Sequence, residues 1–326
     1  MEKMKAVEYE NYGGPQVMKV KEVSKPIPQA HEVLIKIHAT SVTATEATFR
    51  KGEPYFSRLF TGIQKPKIQR LGEELSGVVE AIGKEVQKFK VGDEVFGTAG
   101  PGFGANAEYI CVAEEGVLTF KPQNLSHAEA AASVDGFLTA LPFLRDQGEI
   151  KAGQEVLIYG ASGSVGSAAV QVAKYFGAKV TAVCSTANVK LMIEIGADRV
   201  VDYKKEDFTK NGRSYDIIFD AVGKTTFSAC KDSLKDQGIF LEAGMSFSGF
   251  GPVIWTALFG GKKMRIAATG LRAPQLRLKD LELLKDLMEA GNIKPVIDRS
   301  YPLDQIADAH AYVDLGRKKG NLVIVI

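Results

Sequence analysis

Cysteine is scarce. Cys111, Cys184 and Cys230 stand far apart in a chain of 326 residues, with no CxxC pair among them. Use this sparse fits a reducing cytoplasm. Histidine is nearly as rare: His31, His38, His127 and His310 are scattered. None has a cysteine or carboxylate beside it at metal-ligand spacing, so each is read as structural or surface. No run of about 18 apolar residues exists, and no bilayer-spanning helix is expected. The start, Met1-Glu2-Lys3-Met4-Lys5, has no apolar core and no small-residue cleavage site, so no signal peptide is expected either. An excess of one charge is also missing. Lys and Arg number 41 against 39 Asp and Glu, and no dense basic run points to nucleic acid or an anionic membrane as partner.

What remains is ordinary globular material, 45% apolar and 25% charged. A single core stops growing at about 250–300 residues, so this length predicts two domains. The chain to about Lys121 reads as β-rich: Glu32–Ala39, Gly77–Gly83 and Asp93–Gly97 are strand and turn pieces punctuated by Gly, Pro and Asp, as in a small barrel or rolled sheet. The period then changes. Ser126 with Glu129 three residues on has the spacing of a capping box. From Glu155 strands alternate with helices; strands are predicted at Val156–Tyr159, Lys179–Val183, Val200–Val201, Ile217–Phe219, Ile239–Leu241 and Arg265–Ala268. Repeated βα alternation means a parallel sheet with helices on both faces, an α/β class. Two tail helices are predicted, Asp280–Ala290 closed by Gly291 and Asp304–Leu315 capped by Asp304 and closed by Gly316, before the apolar strand Asn321–Ile326. The expected plan is a discontinuous first domain, residues 1–124 completed by 271–326, with a doubly wound domain at 125–270 inserted.

The most informative segment is Gly160-Ala161-Ser162-Gly163-Ser164-Val165-Gly166, which follows the buried run Val156–Tyr159. Val165, Ala168, Ala169, Val172, Ala173 and Phe176 then fall on one helical face. Glycines let the backbone turn tightly and approach a pyrophosphate, while the helix N-terminus offers free N–H groups and a positive dipole end. The spacing is G-x-x-G-x-x-G rather than the commoner G-x-G-x-x-G, and its strand–turn–helix context is what gives it weight. In the NAD version an acidic residue about 20 positions on binds the ribose 2′-hydroxyl. Here the second strand ends Val183-Cys184-Ser185-Thr186-Ala187-Asn188 without an acid, which permits a 2′-phosphate and hence NADPH. Lys190 is either its point-charge partner or a solvated helix residue, and Ser185 could donate to it.

With these motifs the chain resembles the medium-chain dehydrogenase/reductase superfamily, in particular its zinc-free quinone oxidoreductase (ζ-crystallin-like) branch. The segments that carry the resemblance are Tyr12–Pro15, Leu71–Val79, Val91–Val95, Gly104–Tyr109, Leu138–Ala140 and Gly160–Gly166, and it runs over essentially the whole chain. It implies a GroES-like first domain and a Rossmann second domain. It further implies that Thr139, Gly244 and Met245 border the nicotinamide, that Val222 and Gly223 pass the ribose, and that Ser185, Lys190 and Tyr203 meet the 2′-phosphate. Zinc-bearing relatives need Cys and His ligands; the corresponding positions here hold Thr43 and Glu73, with Asp135 near the third, so no metal is expected. Many members of the branch carry Asn and Tyr where this chain has Thr43 and Thr48.

Without a Lewis acid, reduction of an activated acceptor is easier than oxidation of a simple alcohol. The expected reaction is hydride transfer from NADPH to a quinone or to the β-carbon of an α,β-unsaturated carbonyl, with Thr43, Thr48, Tyr55 or a ribose hydroxyl of the cofactor as donor to the carbonyl oxygen. The alternatives are an enoyl-thioester reductase using Arg58, Lys65, Lys67 and Arg70, a zinc alcohol dehydrogenase disfavoured by its ligand positions, and an NADPH-binding regulatory protein without turnover. Relatives commonly pair their dinucleotide-binding domains edge to edge, which implies a homodimer through the strand around Met264–Thr269. The apolar stretch Phe247, Phe250, Trp255, Leu258 and Phe259 is open to three readings: substrate pocket, subunit interface or core.

Overall fold

Val156, Leu157 and Ile158 are wholly buried, as are Ile217, Ile218 and Phe219. Continuous apolar runs of this kind belong to strands covered on both faces. The computed structural model describes residues 2–243, 253, 255–256 and 261–326, and these divide into two compact units. The first comprises Met1–Val134, Ala273–Glu289 and Pro295–Ile326; the second comprises Asp135–Arg272 and Ala290–Lys294.

The second unit holds β8 (Glu155–Tyr159), α4 (Ser164–Tyr175), β9 (Lys179–Cys184), α5 (Val189–Glu194), β10 (Arg199–Asp202), β11 (Tyr215–Asp220), α6 (Phe227–Cys230), β12 (Leu234–Glu242) and β13 (Lys263–Ile266). Its six strands are ordered β10-β9-β8-β11-β12-β13, and every pairing is parallel. The order reverses between β8 and β11, where open α/β sheets carry their ligand. The last strand is β13, paired with β12.

In the first unit, β1 (Lys3–Glu8) and β2 (Lys19–Ser24) form an antiparallel ribbon. They are followed by β3 (Glu32–Ser41), α1 (Ala44–Lys51), α2 (Arg58–Thr61), β4 (Glu74–Ile82), β5 (Glu94–Thr98), β6 (Tyr109–Ala113) and β7 (Leu118–Phe120). The tail supplies α7 (Pro274–Glu289), β14 (Ile297–Pro302), α8 (Ile306–Asp314) and β15 (Asn321–Val325). The sheet runs β14-β15-β3-β4-β5-β7, with β6 on β3. Its order puts the C-terminal strand beside β3, Val323 opposite Ser41. Alternate residues Val33, Ile35 and Ile37 of β3 pack with Leu75, Val79, Val95 and Val112.

Three local expectations change. Helix α3 (His127–Pro142) contributes its first two turns to the first unit, because Ala131 and Ala132 pack on Ala39 and Val323. The division therefore falls after Val134 rather than after residue 124. Helix α7 starts six residues before Asp280, at Pro274, whose fixed φ suits a first helical turn. Asp304 does not cap α8. Residues Leu303–Gln305 make a 3-10 turn, Gln305 stands at the cap without a side-chain bond, and the Asp304 carboxylate lies 3.6 Å from Lys5 Nζ. The capping box before α3 is present: Ser126 N–H donates to Glu129 at 2.9 Å, and Glu129 N–H to Ser126 Oγ at 3.3 Å.

Candidate active site

The three glycines after β8 stand in three different environments. Gly160 has φ +73°, and a Cβ there would come within 2.6 Å of the Val222 methyls. A Cβ on Gly166 would run into the Gly160 carbonyl oxygen, so this glycine lets α4 pack close against the end of β8. Gly163, at the N-cap of α4, has φ −79° and ψ −176°, which any residue adopts. A Cβ on it would meet nothing nearer than the Gly160 oxygen at 3.6 Å. The protein's own packing does not require a glycine here. A Cβ here would stand at the N-terminus of α4, whose N–H groups and dipole suit an anion such as a pyrophosphate. Residues Gly160, Ser162 and Gly163 lie in the turn itself, and Ser164, Val165 and Gly166 open α4. Helix α3 leans on it from behind: a Cβ on Gly136 would meet the Ser164 carbonyl oxygen at 2.8 Å. Thr139, three residues further along α3, is half-buried.

Beyond β9, Ser185 opens a short 3-10 turn, Thr186–Asn188. The buried Asn188 side chain donates from Nδ2 to Ser162 Oγ at 2.8 Å and to Ser185 Oγ at 3.4 Å. The glycine turn and the end of the second strand are thus joined through one amide that no local sequence pattern singles out. Lys190, with 90% of its side chain exposed, lies 3.7 Å from Glu194. Tyr203 is 54% exposed, and its N–H donates to the Cys184 carbonyl at 3.1 Å. A carboxylate is nearby after all: Asp202 ends β10 opposite Cys184. It is turned to Thr186 Oγ1 at 2.6 Å and to the Lys204 N–H at 3.1 Å. The Thr186 hydroxyl holds it below the usual carboxylate range.

The turn after β11 is built by Asp220. Its buried carboxylate accepts from the N–H groups of Val222 and Gly223, both at 2.9 Å, and of Thr225 at 2.8 Å. Burial pushes this carboxyl up despite the three donors. Val222, held this way, is the side chain that presses on Gly160. Gly244 and Met245 lie outside the described residues, as do Phe247, Phe250, Leu258 and Phe259; Trp255 is half-exposed.

In the first unit Thr43 caps α1, its Oγ1 accepting from the Glu46 N–H at 3.1 Å. Thr48 lies on the same helix, half-buried. Tyr55 is elsewhere: it is 74% exposed, with the Arg58 guanidinium 4.6 Å from its ring centre. The chemically unusual group is Glu46, which is fully buried. Its Oε2 accepts from Gly72 N–H at 3.1 Å and Asn106 Nδ2 at 3.0 Å, while Oε1 has no hydrogen-bond partner. Burial pushes this carboxyl up to about 8, against the pull of Asn106.

Glu73 and Glu74 do not converge. Glu73 meets Arg277 at 3.2 Å, whereas Glu74 accepts from the Ser41 hydroxyl. Among the described residues no three His, Cys, Asp or Glu side chains are grouped to hold a metal. Two histidines have carboxylate partners that their sequence neighbours concealed, His31 with Glu85 at 2.7 Å and His127 with Glu94 at 3.2 Å. His127 also stacks on His38 and shares a 2.8 Å hydrogen bond with Ser76; burial, with His38 beside it, pushes it down to about 4. Buried His310 falls to about 3, from desolvation first and then the Arg50 charge. No described helix is long and apolar enough to cross a membrane.

The same architecture recurs in known proteins. Residues 29–122 match the alcohol dehydrogenase GroES-like domain, and residues 195–324 match the zinc-binding dehydrogenase family. The chain is 34% identical to the 2-methylene-furan-3-one reductase of Solanum lycopersicum, over 98% of this chain and 79% of that one. It is 32% identical to the chloroplastic NADPH-dependent alkenal/one oxidoreductase of Arabidopsis thaliana, with the same coverage. Among solved structures, the quinone oxidoreductase from Coxiella burnetii superposes with a TM-score of 0.87 at 28% identity, covering 100% of both chains.

Proposed function

Because the chain belongs to the medium-chain dehydrogenase/reductase superfamily, in its quinone oxidoreductase branch, we propose that it uses NADPH, and no zinc, to reduce a quinone or the β-carbon of an α,β-unsaturated carbonyl. It is an oxidoreductase with a nicotinamide cofactor; the choice of NADPH, the acceptor and the independence from metal are the proposal. The unfilled position at Gly163, at a helix N-terminus, supports a dinucleotide, and the absence of an acid from Val183 to Asn188 supports a 2′-phosphate on it. The nicotinamide, when bound, supplies the hydride.

The chain's own residues position the acceptor and stabilise charge on its carbonyl oxygen. Thr43 suits the second of these roles, because its oxygen accepts the capping bond from Glu46 and its own O–H remains to donate. Thr48 is the second candidate donor, and Tyr55, exposed and engaged by Arg58, is the third. Solvent returns the proton to the α-carbon. By the resemblance, Thr43 and Glu73 stand where zinc-bearing relatives have Cys and His, with Asp135 near the third position, and this set lacks the thiolate and imidazole those relatives use. A panel of enones, quinones and enoyl thioesters, followed by loss of NADPH absorbance with and without chelator, tests the reading. Turnover of an enone or quinone that survives chelation is expected. Stoichiometric zinc whose removal abolishes activity overturns it.

NADPH is expected to bind more tightly than NADH. Lys190→Ala should narrow that gap about 10-fold, the smaller end of a charge-assisted contact because the ammonium is in water. Paired titrations of parent and variant read this directly, and an unchanged gap removes Lys190 from the site. A homodimer through β13 is the proposed assembly, since symmetric pairing would cover this edge strand. Light scattering at micromolar concentration checks it, and a clean monomer mass removes it.

A further inference from the structure

Asn188 stands between the two serines of the cofactor site and is itself only 8% exposed. Its backbone N–H closes the turn onto the Ser185 carbonyl at 2.9 Å. This leaves the side-chain amide to join Ser162 in the phosphate turn, at 2.8 Å, with Ser185 at the end of β9, at 3.4 Å. An amide NH2 can only donate, so each serine oxygen that meets it must accept. A serine has one O–H. With an acceptor position of each oxygen filled by Asn188, both O–H groups are left to point away from the amide.

We propose that Asn188 is a specificity-determining residue. Anchored on Ser162 and donating to Ser185, it fixes the Ser185 hydroxyl as a donor and so selects a cofactor with a phosphate on the adenosine ribose over one with a free hydroxyl. The inference rests on the NADPH reading above. A phosphate presents only acceptors and is served by the Ser185 O–H donor together with the Lys190 charge. A ribose hydroxyl is served equally well by an acceptor. Asn188→Asp, which replaces one NH2 by an oxygen, reverses the arrangement. The carboxylate accepts from both serines, turns their O–H groups inward, and leaves lone pairs and a negative charge towards the ligand. Asp202 does not already do this, because its carboxylate is bound to Thr186 and the Lys204 N–H.

The test is calorimetric titration of NADPH, NADH, adenosine 2′,5′-bisphosphate and 5′-AMP into the parent, Asn188→Asp and Asn188→Ala. For Asn188→Asp, affinity for the two 2′-phosphorylated ligands should fall about 30-fold, with NADH and 5′-AMP changing less than about 3-fold. Asn188→Ala frees the hydroxyls to rotate without adding charge, and should lower the same ratio about 5-fold. A merely structural role would weaken all four ligands together, and that result overturns the proposal. So does an unchanged NADPH/NADH ratio in both variants. Equal binding of NADPH and NADH by the parent overturns the cofactor reading itself, and selection by Asn188 with it. The parent titration thus separates the two failures.

Discussion

Gly163→Val is expected to abolish NADPH binding in a chain that still folds. The backbone at Gly163 is extended, φ −79° and ψ −176°, where valine is at ease. A Cβ there has only the Gly160 oxygen within 4 Å, at 3.6 Å. The folded chain should therefore lose little beyond the poorer N-cap, about 1 kcal/mol. The same methyls occupy the space assigned to the pyrophosphate, so the loss of affinity should exceed about 100-fold, or about 2.7 kcal/mol. The neighbouring glycines are the controls. Gly160→Val forces a β-branched residue to φ +73° against Val222, and Gly166→Val drives a side chain into the Gly160 carbonyl; both should destabilise the unit before any ligand is added. Calorimetry and circular dichroism on the same samples decide the matter. A native spectrum with unchanged affinity for Gly163→Val removes the phosphate-site assignment.

The contrast among these glycines also shows what a sequence can disclose. The turn and its flanking strand and helix follow from local pattern: apolar runs, glycine spacing and alternating period. So does the Ser126–Glu129 box, whose partners are three residues apart. Asn188 and Glu46 escape such a reading because their roles depend on distant chain. Asn188 reaches back 26 residues to Ser162. Glu46 stands three residues after the Thr43 cap, the spacing at which a capping box would turn its carboxylate back to the cap. Instead the carboxylate crosses to Gly72 and Asn106, 26 and 60 residues away. Asp304 misleads in the opposite sense. It has the right residue type for a cap, but the preceding 3-10 turn moves the helix start past it and Lys5 takes its charge. No acid follows β9 along the strand, yet the sheet brings Asp202 in from the next strand.

Glu46→Gln should stabilise the chain relative to the parent, and increasingly so as pH rises from about 4.5 to about 8. The Glu46 carboxyl is pushed from 4.5 up to about 8, because desolvation in the fully buried site outweighs its bonds from Asn106 and Gly72 and the pull of the nearby Thr43 N–H, and the Glu73 charge adds to the rise. A raised acid keeps its proton in the folded state after the unfolded chain has released it. Its contribution to stability is therefore fully present below pH 4.5 and is lost progressively as pH climbs to about 8. Above that, both states are ionised and the dependence ends. Glutamine has the same shape, leaves a carbonyl oxygen to accept from Gly72 and Asn106, and does not titrate. The difference in unfolding free energy between variant and parent should then open across this window by on the order of 5 kcal/mol. Urea unfolding of both chains at intervals from pH 4.5 to 8 measures it, and a difference that stays flat with pH would show that Glu46 is ionised in the folded state throughout. The effect bears on the proposed donor Thr43 because the Glu46 backbone N–H makes the bond that holds its oxygen. A carboxyl kept neutral beneath α1 lets that helix, and the hydroxyl it carries, stay in place at neutral pH without a buried charge pulling at its first turn.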